Sequence, residues 1–355
     1  MTQATDPDPT ALSTSAAAER GDFADLTRLV RAAGLMGPRP RYYAVKIPLN
    51  LLFLAGAWAA VVWVGDSWWQ LAVAALLAFV YTQTGFVGHD IGHRQVTGNR
   101  RAMDVLGRLH GNLLMGFSYG WWVNHHNKHH SHPNHLEKDS DITRRRVIFI
   151  PEQGHTREGR VKQFIVRHQH KLFYGLLTTE SLGLRVASLK AVREKAFRGY
   201  RLEGTLIVVH LVAYFTTVFL IMSPGVAVLF ILCHQALFGL YLGLVFAPNH
   251  KGMPIQREDE DWDWMTRQIR TSRNIRSSYL TDFLYGGLNY QIEHHLYPTM
   301  PRRNLRHVRP IVRAYCEKHG ISYYETGAWR SYVEIFQHLY RTTSAYQASL
   351  ERGQS

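Results

Sequence analysis

A chain of 355 residues, 46% hydrophobic and 19% charged, has an average composition compatible with a soluble or a membrane protein, so the totals decide little. Its formal net charge of +14 raises nucleic-acid binding, but no recognisable binding motif accompanies the charge. Basic residues flanking apolar helices, where they meet anionic headgroups or an acidic electron-transfer partner, explain it better. With only Cys233 and Cys316, a disulfide framework and a cysteine-rich metal site are both excluded.

In chain order, residues 1–40 are polar, contain no apolar core of signal-peptide length, and read as an N-terminal tail, disordered over about the first 20. Beyond them the apolar residues are bunched. About 20 helical residues cross a bilayer, and two stretches of that order, about 48–65 and 68–87, are separated only by Asp66 and Ser67. They read as a helical hairpin. The run from Gly111 to Val123 is too short to cross, and with Trp121 and Trp122 it belongs in the membrane interface or a cap core. From Phe164 to Val192, Arg, His and Lys alternate with Leu, Ile and Phe at helical spacing, which predicts one amphipathic helix on the membrane surface. A second hairpin follows, about 204–222 and 226–246, joined by Ser223, Pro224 and Gly225. Residues 331–355 read as a C-terminal tail.

Neither hairpin turn carries Lys or Arg, whereas the other segments are rich in both. The positive-inside rule therefore puts both termini and the long middle loop in the cytosol. The expected fold is an all-α membrane protein: four transmembrane helices in two hairpins, under a helical cytosolic cap formed by about 89–200 and 248–330.

Three histidine clusters stand out among the 20 histidines. His89 and His93 are four apart, His126, His129 and His130 share one turn, and His294 and His295 follow Gln291 and Glu293. Residues three and four apart on a helix are neighbours, so each of the first two clusters aims several imidazoles at one small volume. His250 follows directly where the fourth apolar stretch ends. Four regions thus set histidines at one depth, just inside the cytosolic membrane surface. A lone histidine is usually a solvated or hydrogen-bonded side chain, and His110, His125, His132, His135, His210, His234 and His307 are read that way. Convergent clusters point instead to metal. Eight imidazoles exceed the four ligands of one tetrahedral zinc, so two metal ions are implied, although imidazole also suits copper, iron and nickel. A metal transporter would place such ligands at mid-membrane, not outside the spans.

These clusters, in this order and divided by paired apolar hairpins, closely resemble those of the membrane fatty acid desaturases. The middle cluster, HNKHHSHPN followed by DSDI, fits the family. The most specific stretch is Asp263, Trp264, Gln268, Thr271 and Asn274 leading into GGLNYQIEHHLYPTMPRRNL, residues 286–305, which is similar to the front-end and linoleoyl-CoA branch. There Gln291 stands where the first histidine of the third cluster would be. The resemblance covers about residues 40–320 and marks 41–330 as a desaturase domain.

The resemblance implies an integral-membrane, oxygen-dependent fatty acyl desaturase with two iron ions, iron being needed because zinc has no redox chemistry. It implies His89, His93, His126, His129, His130, His250, His294 and His295 as ligands, with Gln291 beside or in place of one. Asp90 and Glu293, inside the clusters, are placed either to orient imidazoles by hydrogen bonding or as plain surface carboxylates. O2 would be the co-substrate, and the acyl chain would arrive as an acyl-CoA or an acyl-lipid. Many front-end relatives carry a fused cytochrome b5 domain with an H-P-G-G haem motif, which this sequence lacks. A separate donor is therefore expected: a ferredoxin, a cytochrome b5 or a flavin-containing reductase. The expected location is a bacterial plasma membrane with the active site cytosolic. A lipid hydroxylase on the same scaffold is the alternative.

Overall fold

The computed structural model describes residues 22–143 and 146–353, so the disordered stretch expected over about the first 20 residues lies outside the described residues. In order, the helices are α1 (Phe23–Ala32), α2 (Pro40–Val64), α3 (Gln70–Gly92), α4 (Arg100–Gly107), α5 (Tyr119–Ser131), α6 (Ser140–Thr143), α7 (Arg160–Leu177) and α8 (Glu180–Arg193). There follow α9 (Tyr200–Ile221), α10 (Pro224–His250), α11 (Trp264–Arg270), α12 (Tyr279–Leu284), α13 (Gln291–Leu296), α14 (Arg302–His319) and α15 (Ala328–Glu351). A π-helical segment, Arg108–Leu114, continues α4. Among the described residues the sheet is limited to β1 (Asn274–Ile275) and β2 (Glu325–Thr326), which pair in parallel.

Among the described residues four helices are long and apolar enough to cross a membrane, α2, α3, α9 and α10, and the protein is an integral membrane protein. Each hairpin has its chemistry in the turn. Pro224 occupies a first-turn position of α10, where the missing N–H is not needed. Gly65 ends α2 at φ +65°, and Gln70 Nε2 donates to the carbonyls of Val61 and Gly65, which the end of α2 leaves without helical partners. The two turns are also tied to each other, since Asp66 Oδ1 accepts from both the backbone N–H and the hydroxyl of Ser223 at 2.9 Å.

α3 and α10 form the inner pair of the bundle, and Val73, Leu77 and Tyr81 of α3 share a core with Phe230 and Phe238 of α10. At 1.5 Å per residue, the 27 residues of α10 extend about 40 Å, against a hydrocarbon thickness of about 30 Å. Its last turns therefore stand clear of the bilayer and carry His250 into the cap. α3 does the same for His89.

One sequence reading is corrected in the cap, and two segments read as tails carry helices. The single surface helix expected over 164–192 is two helices, α7 and α8, broken at Thr178 and Thr179. The Thr178 and Thr179 hydroxyls bond back to the carbonyls of Gly175 and Leu176 at 2.7 Å, replacing the helical ladder. The broken turn sits directly on α10 at Gly239, where a Cβ would lie 2.6 Å from the Thr178 oxygen. The second half of the N-terminal tail is also structured: α1 packs Leu26 and Val30 against Leu305, Val308 and Val312 of α14. Likewise the segment read as a C-terminal tail is most of α15, whose Ile335 and Leu339 are fully buried against Phe173 and Leu177.

Leu339→Ala should therefore destabilise the protein by about 2–5 kcal/mol, as expected for truncating a fully buried leucine. Thermal unfolding in detergent reads this out; a midpoint equal to wild type would mean that the α15 contact is not formed.

Candidate metal centre

Four elements deliver the histidines. α3 ends with His89 in its last turn and His93 just beyond. α5 carries His126, His129 and His130, α10 ends at His250, and α13 carries Gln291, His294 and His295. Their placement follows from local packing. Gly92 lets the Trp122 ring approach to where a Cβ would lie 2.5 Å from it, and Trp122 in turn stacks on His126 with centroids 4.4 Å apart. The start of α5 is held by Ser118, whose hydroxyl accepts from Trp121 N, and by buried Glu203 of α9. The Glu203 carboxylate accepts from Ser118 Oγ, Asn112 Nδ2 and Gly120 N.

The rings gather into two groups. His89, His93, His126 and His294 each offer a ring nitrogen within 4.8 Å of the others, as do His129, His250 and His295. His130 sits between them, its ring centroid 4.5 Å from His126 and 4.2 Å from His295. His126 Nε2 and His130 Nε2 are 3.1 Å apart, and His129 Nε2 and His250 Nε2 are 3.2 Å apart. Two nitrogens bound to one ion at about 2.0–2.1 Å would be separated by about 3.0–3.4 Å, so the rings already have the spacing of ligands. Gln291 lies beside the second group, its Nε2 2.9 Å from His250 Nε2.

The electrostatics fit the same use. Burial, reinforced by neighbouring rings, holds His126, His130, His294 and His295 well below the usual histidine pKa, and lowers His93 to about 3. These rings are neutral, with lone pairs available. The Nε2 atoms of His89, His93, His294 and His295 are buried and have no hydrogen-bond partner, as does Nδ1 of His130. Orphaned buried nitrogens are costly unless something binds them, and convergent imidazole lone pairs are ligands for a transition metal. The residues present therefore fit metal ions.

Behind the rings lies a layer that the sequence reading placed only in part. His129 Nδ1 is 2.9 Å from Asp139 Oδ2, and although burial lowers the His129 pKa, Asp139 and Asp141 outweigh it and raise it. His250 Nδ1 donates to the Thr271 carbonyl at 2.9 Å, and His295 Nδ1 to Gln268 Oε1 at 2.8 Å. Gln268 also donates to the His130 carbonyl. With Nδ1 protonated in this way, Nε2 of each ring is left facing its group. Asp139, Gln268 and Thr271 all stand in motifs that the sequence shows, but nothing there assigns them a partner.

The two carboxylates inside the clusters do something else. Asp90 Oδ1 lies 3.8 Å from His89 Nδ1, beyond hydrogen-bonding reach, while Oδ2 accepts from Arg302 Nε and Tyr43 OH. Arg302 donates as well to the Phe86 carbonyl, so this buried pair locks α14 onto α3 and α2. Glu293, fully buried, accepts from Asn274 Nδ2 and Tyr323 OH, and burial raises its pKa to about 7. It anchors α13 to β1 and touches no imidazole with a hydrogen bond. Of the remaining histidines, His110 and His210 bond backbone carbonyls, His234 bonds Tyr214 OH, and His125 Nε2 lies 3.2 Å from Asp141 Oδ1.

A family model described as "Fatty acid desaturase" matches residues 66–327. An acyl-lipid (9-3)-desaturase of Physcomitrium patens is 31% identical over 312 residues, covering 85% of this chain and 59% of that protein. A Delta(8)-fatty-acid desaturase of Euglena gracilis is 32% identical over 316 residues, with 85% of this chain and 74% of the other covered. The Delta(6)-fatty-acid desaturase fat-3 of Caenorhabditis elegans is 29% identical over 339 residues, with 92% and 76% covered. This chain thus spans about three fifths of the first of these relatives and about three quarters of the other two.

Removing a supporting bond should loosen the centre without touching a ring. Gln268→Ala is expected to weaken metal retention by about 10–100-fold, the usual cost of losing a hydrogen bond behind a metal ligand. Metal content after graded chelation measures this, and retention equal to wild type would count against the role given to Gln268.

Proposed function

Because the chain belongs to the fatty acid desaturase family, in the front-end branch that residues 286–305 resemble, we propose that it introduces a double bond into a fatty acyl chain with O2 as the oxidant. One observation carries the reading: two adjacent groups of convergent imidazoles at the ends of α3 and α10, with unpartnered buried ring nitrogens on His89, His93, His294 and His295. His89, His93, His126 and His294 would hold one iron ion, and His129, His250 and His295 the other. His130 stands where it can serve either, and Gln291 neighbours the second.

Two bound iron ions would supply the redox chemistry by which O2, two external electrons, two protons and the two hydrogens removed from the acyl chain become two waters, leaving an alkene. The chain's own residues do the rest. Asp139, Gln268 and the Thr271 carbonyl keep each Nε2 turned inward. The apolar faces of the inner helices desolvate the acyl chain and fix which carbons lie beside the site, so placement along the chain sets the bond position.

The substrate would be an acyl-CoA or an acyl-lipid, and the electron donor a ferredoxin, cytochrome b5 or flavin-containing reductase docking on the basic face. By the charge of the connecting segments, that face and the centre lie in the cytosol, beneath a bacterial plasma membrane.

Expressed in a lipid-producing host, the protein should yield new unsaturated acyl chains by gas chromatography, and the purified protein should contain about two iron ions per chain. His294→Ala and His129→Ala should each abolish the product and lower the iron content. A fully active variant refutes the ligand assignment, and an alcohol or ketone in place of the alkene assigns the scaffold to hydroxylation.

A further inference from the structure

α12 is built differently from its neighbours in the cap. None of its six residues is buried, and its apolar side chains face outward, with Tyr279 82%, Leu280 66% and Phe283 49% exposed. Yet its last carbonyls are not left to water. The Phe283 oxygen accepts from Gln83 Nε2 at 3.3 Å and the Leu284 oxygen from Tyr241 OH at 2.8 Å, both donors lying inside the membrane-spanning helices α3 and α10. Phe283 also meets the Phe79 ring of α3 at 6.0 Å. Gln83 precedes His89 by six residues, about 9 Å along the helix on the membrane side. Free carbonyls are costly at such depth, and supply of donors by the spans is what a short helix immersed in a leaflet requires.

Cations mark both ends of the exposed face. Lys46 Nζ lies 5.8 Å from the Phe283 ring, and the Arg306 guanidinium lies 4.7 Å from the Tyr279 ring. Tyr279 and Phe283 are about one turn apart, so the two cations border one patch of apolar surface. An apolar face rimmed by Lys and Arg suits the boundary between acyl chains and anionic phosphates. Past α12, Gly286 and Gly287 reverse the chain at φ +60° and +84°, with Gly286 packed on Phe86 of α3, and the chain enters α13. One short segment therefore joins the lipid-facing surface to His294 and His295.

Resting on the desaturase reading, the geometry points to α12 as the lip of a lateral portal for an acyl chain still esterified in a phospholipid. The chain leaves the leaflet at the seam between α12 and α3, where the Gln83 bonds are long, and runs along α3 towards the histidines. Lys46 and Arg306 hold the lipid phosphate meanwhile.

Two measurements test this in proteoliposomes. In a Cys233→Ser background, a nitroxide label at Leu280→Cys should show the accessibility to oxygen over a water-soluble nickel chelate seen at lipid-facing Leu220→Cys. A label behaving like one at Lys318→Cys on the cap overturns the immersion. In the second arm, the same acyl chain is offered as phosphatidylcholine and as the CoA thioester. Wild type should convert the phospholipid, and Leu280→Glu or Phe283→Glu should slow that conversion at least about tenfold while iron content stays at the wild-type level. Conversion of the thioester alone, or unchanged turnover in both variants, overturns the portal. Absence of an alkene from either carrier in the wild type instead sinks the desaturase reading, and the label still reports separately on immersion.

Discussion

Buried ring nitrogens with no hydrogen-bond partner are expensive, and here five of them, on His89, His93, His130, His294 and His295, converge with three further imidazoles at the end of a membrane bundle. The cost becomes tolerable if their lone pairs share a common use and if each ring is prevented from turning away. Most of the polar structure inside the cap serves the second condition. Asp139 holds His129, Gln268 holds His295, and the Thr271 carbonyl holds His250. The backbone carrying these rings is fixed in turn by fully buried carboxylates, Glu293 behind α13 and Glu203 at the start of α5.

The membrane contributes depth. Because α3 and α10 are longer than the hydrocarbon they cross, their last turns project to one level and set His89 and His250 there without any loop of adjustable length. α5 and α13 then need only to pack down on those ends. The Asp90–Arg302 pair fastens the third cluster to the first, since Arg302 begins α14 just after α13. A buried ion pair of this kind adds little net stability but fixes geometry, as breaking it strands a charge.

Much of this was legible in the sequence because it rests on length and local spacing. Four apolar runs gave the bundle, and the i, i+3, i+4 pattern gave the histidine faces. What was missed depends on residues distant along the chain. The break between α7 and α8 has no proline or glycine of its own; it answers to Gly239, some sixty residues away. α15 hides its core face, Ile335 and Leu339, among tyrosine, arginine and threonine. Asp90 and Glu293 sit in the motifs but about 100° round the helix from the neighbouring ligand, so they face α14 and β1 instead of the rings. The residues that orient the rings come instead from loops and a short helix, whose proximity only folding creates.

The bond between Asp66 and Ser223 lies at the opposite end of the bundle from the histidines. It clasps the two hairpin turns to each other, so the four spans are tied together at that end. Any breathing of the bundle would then open like tweezers, widest at the end that carries the histidines.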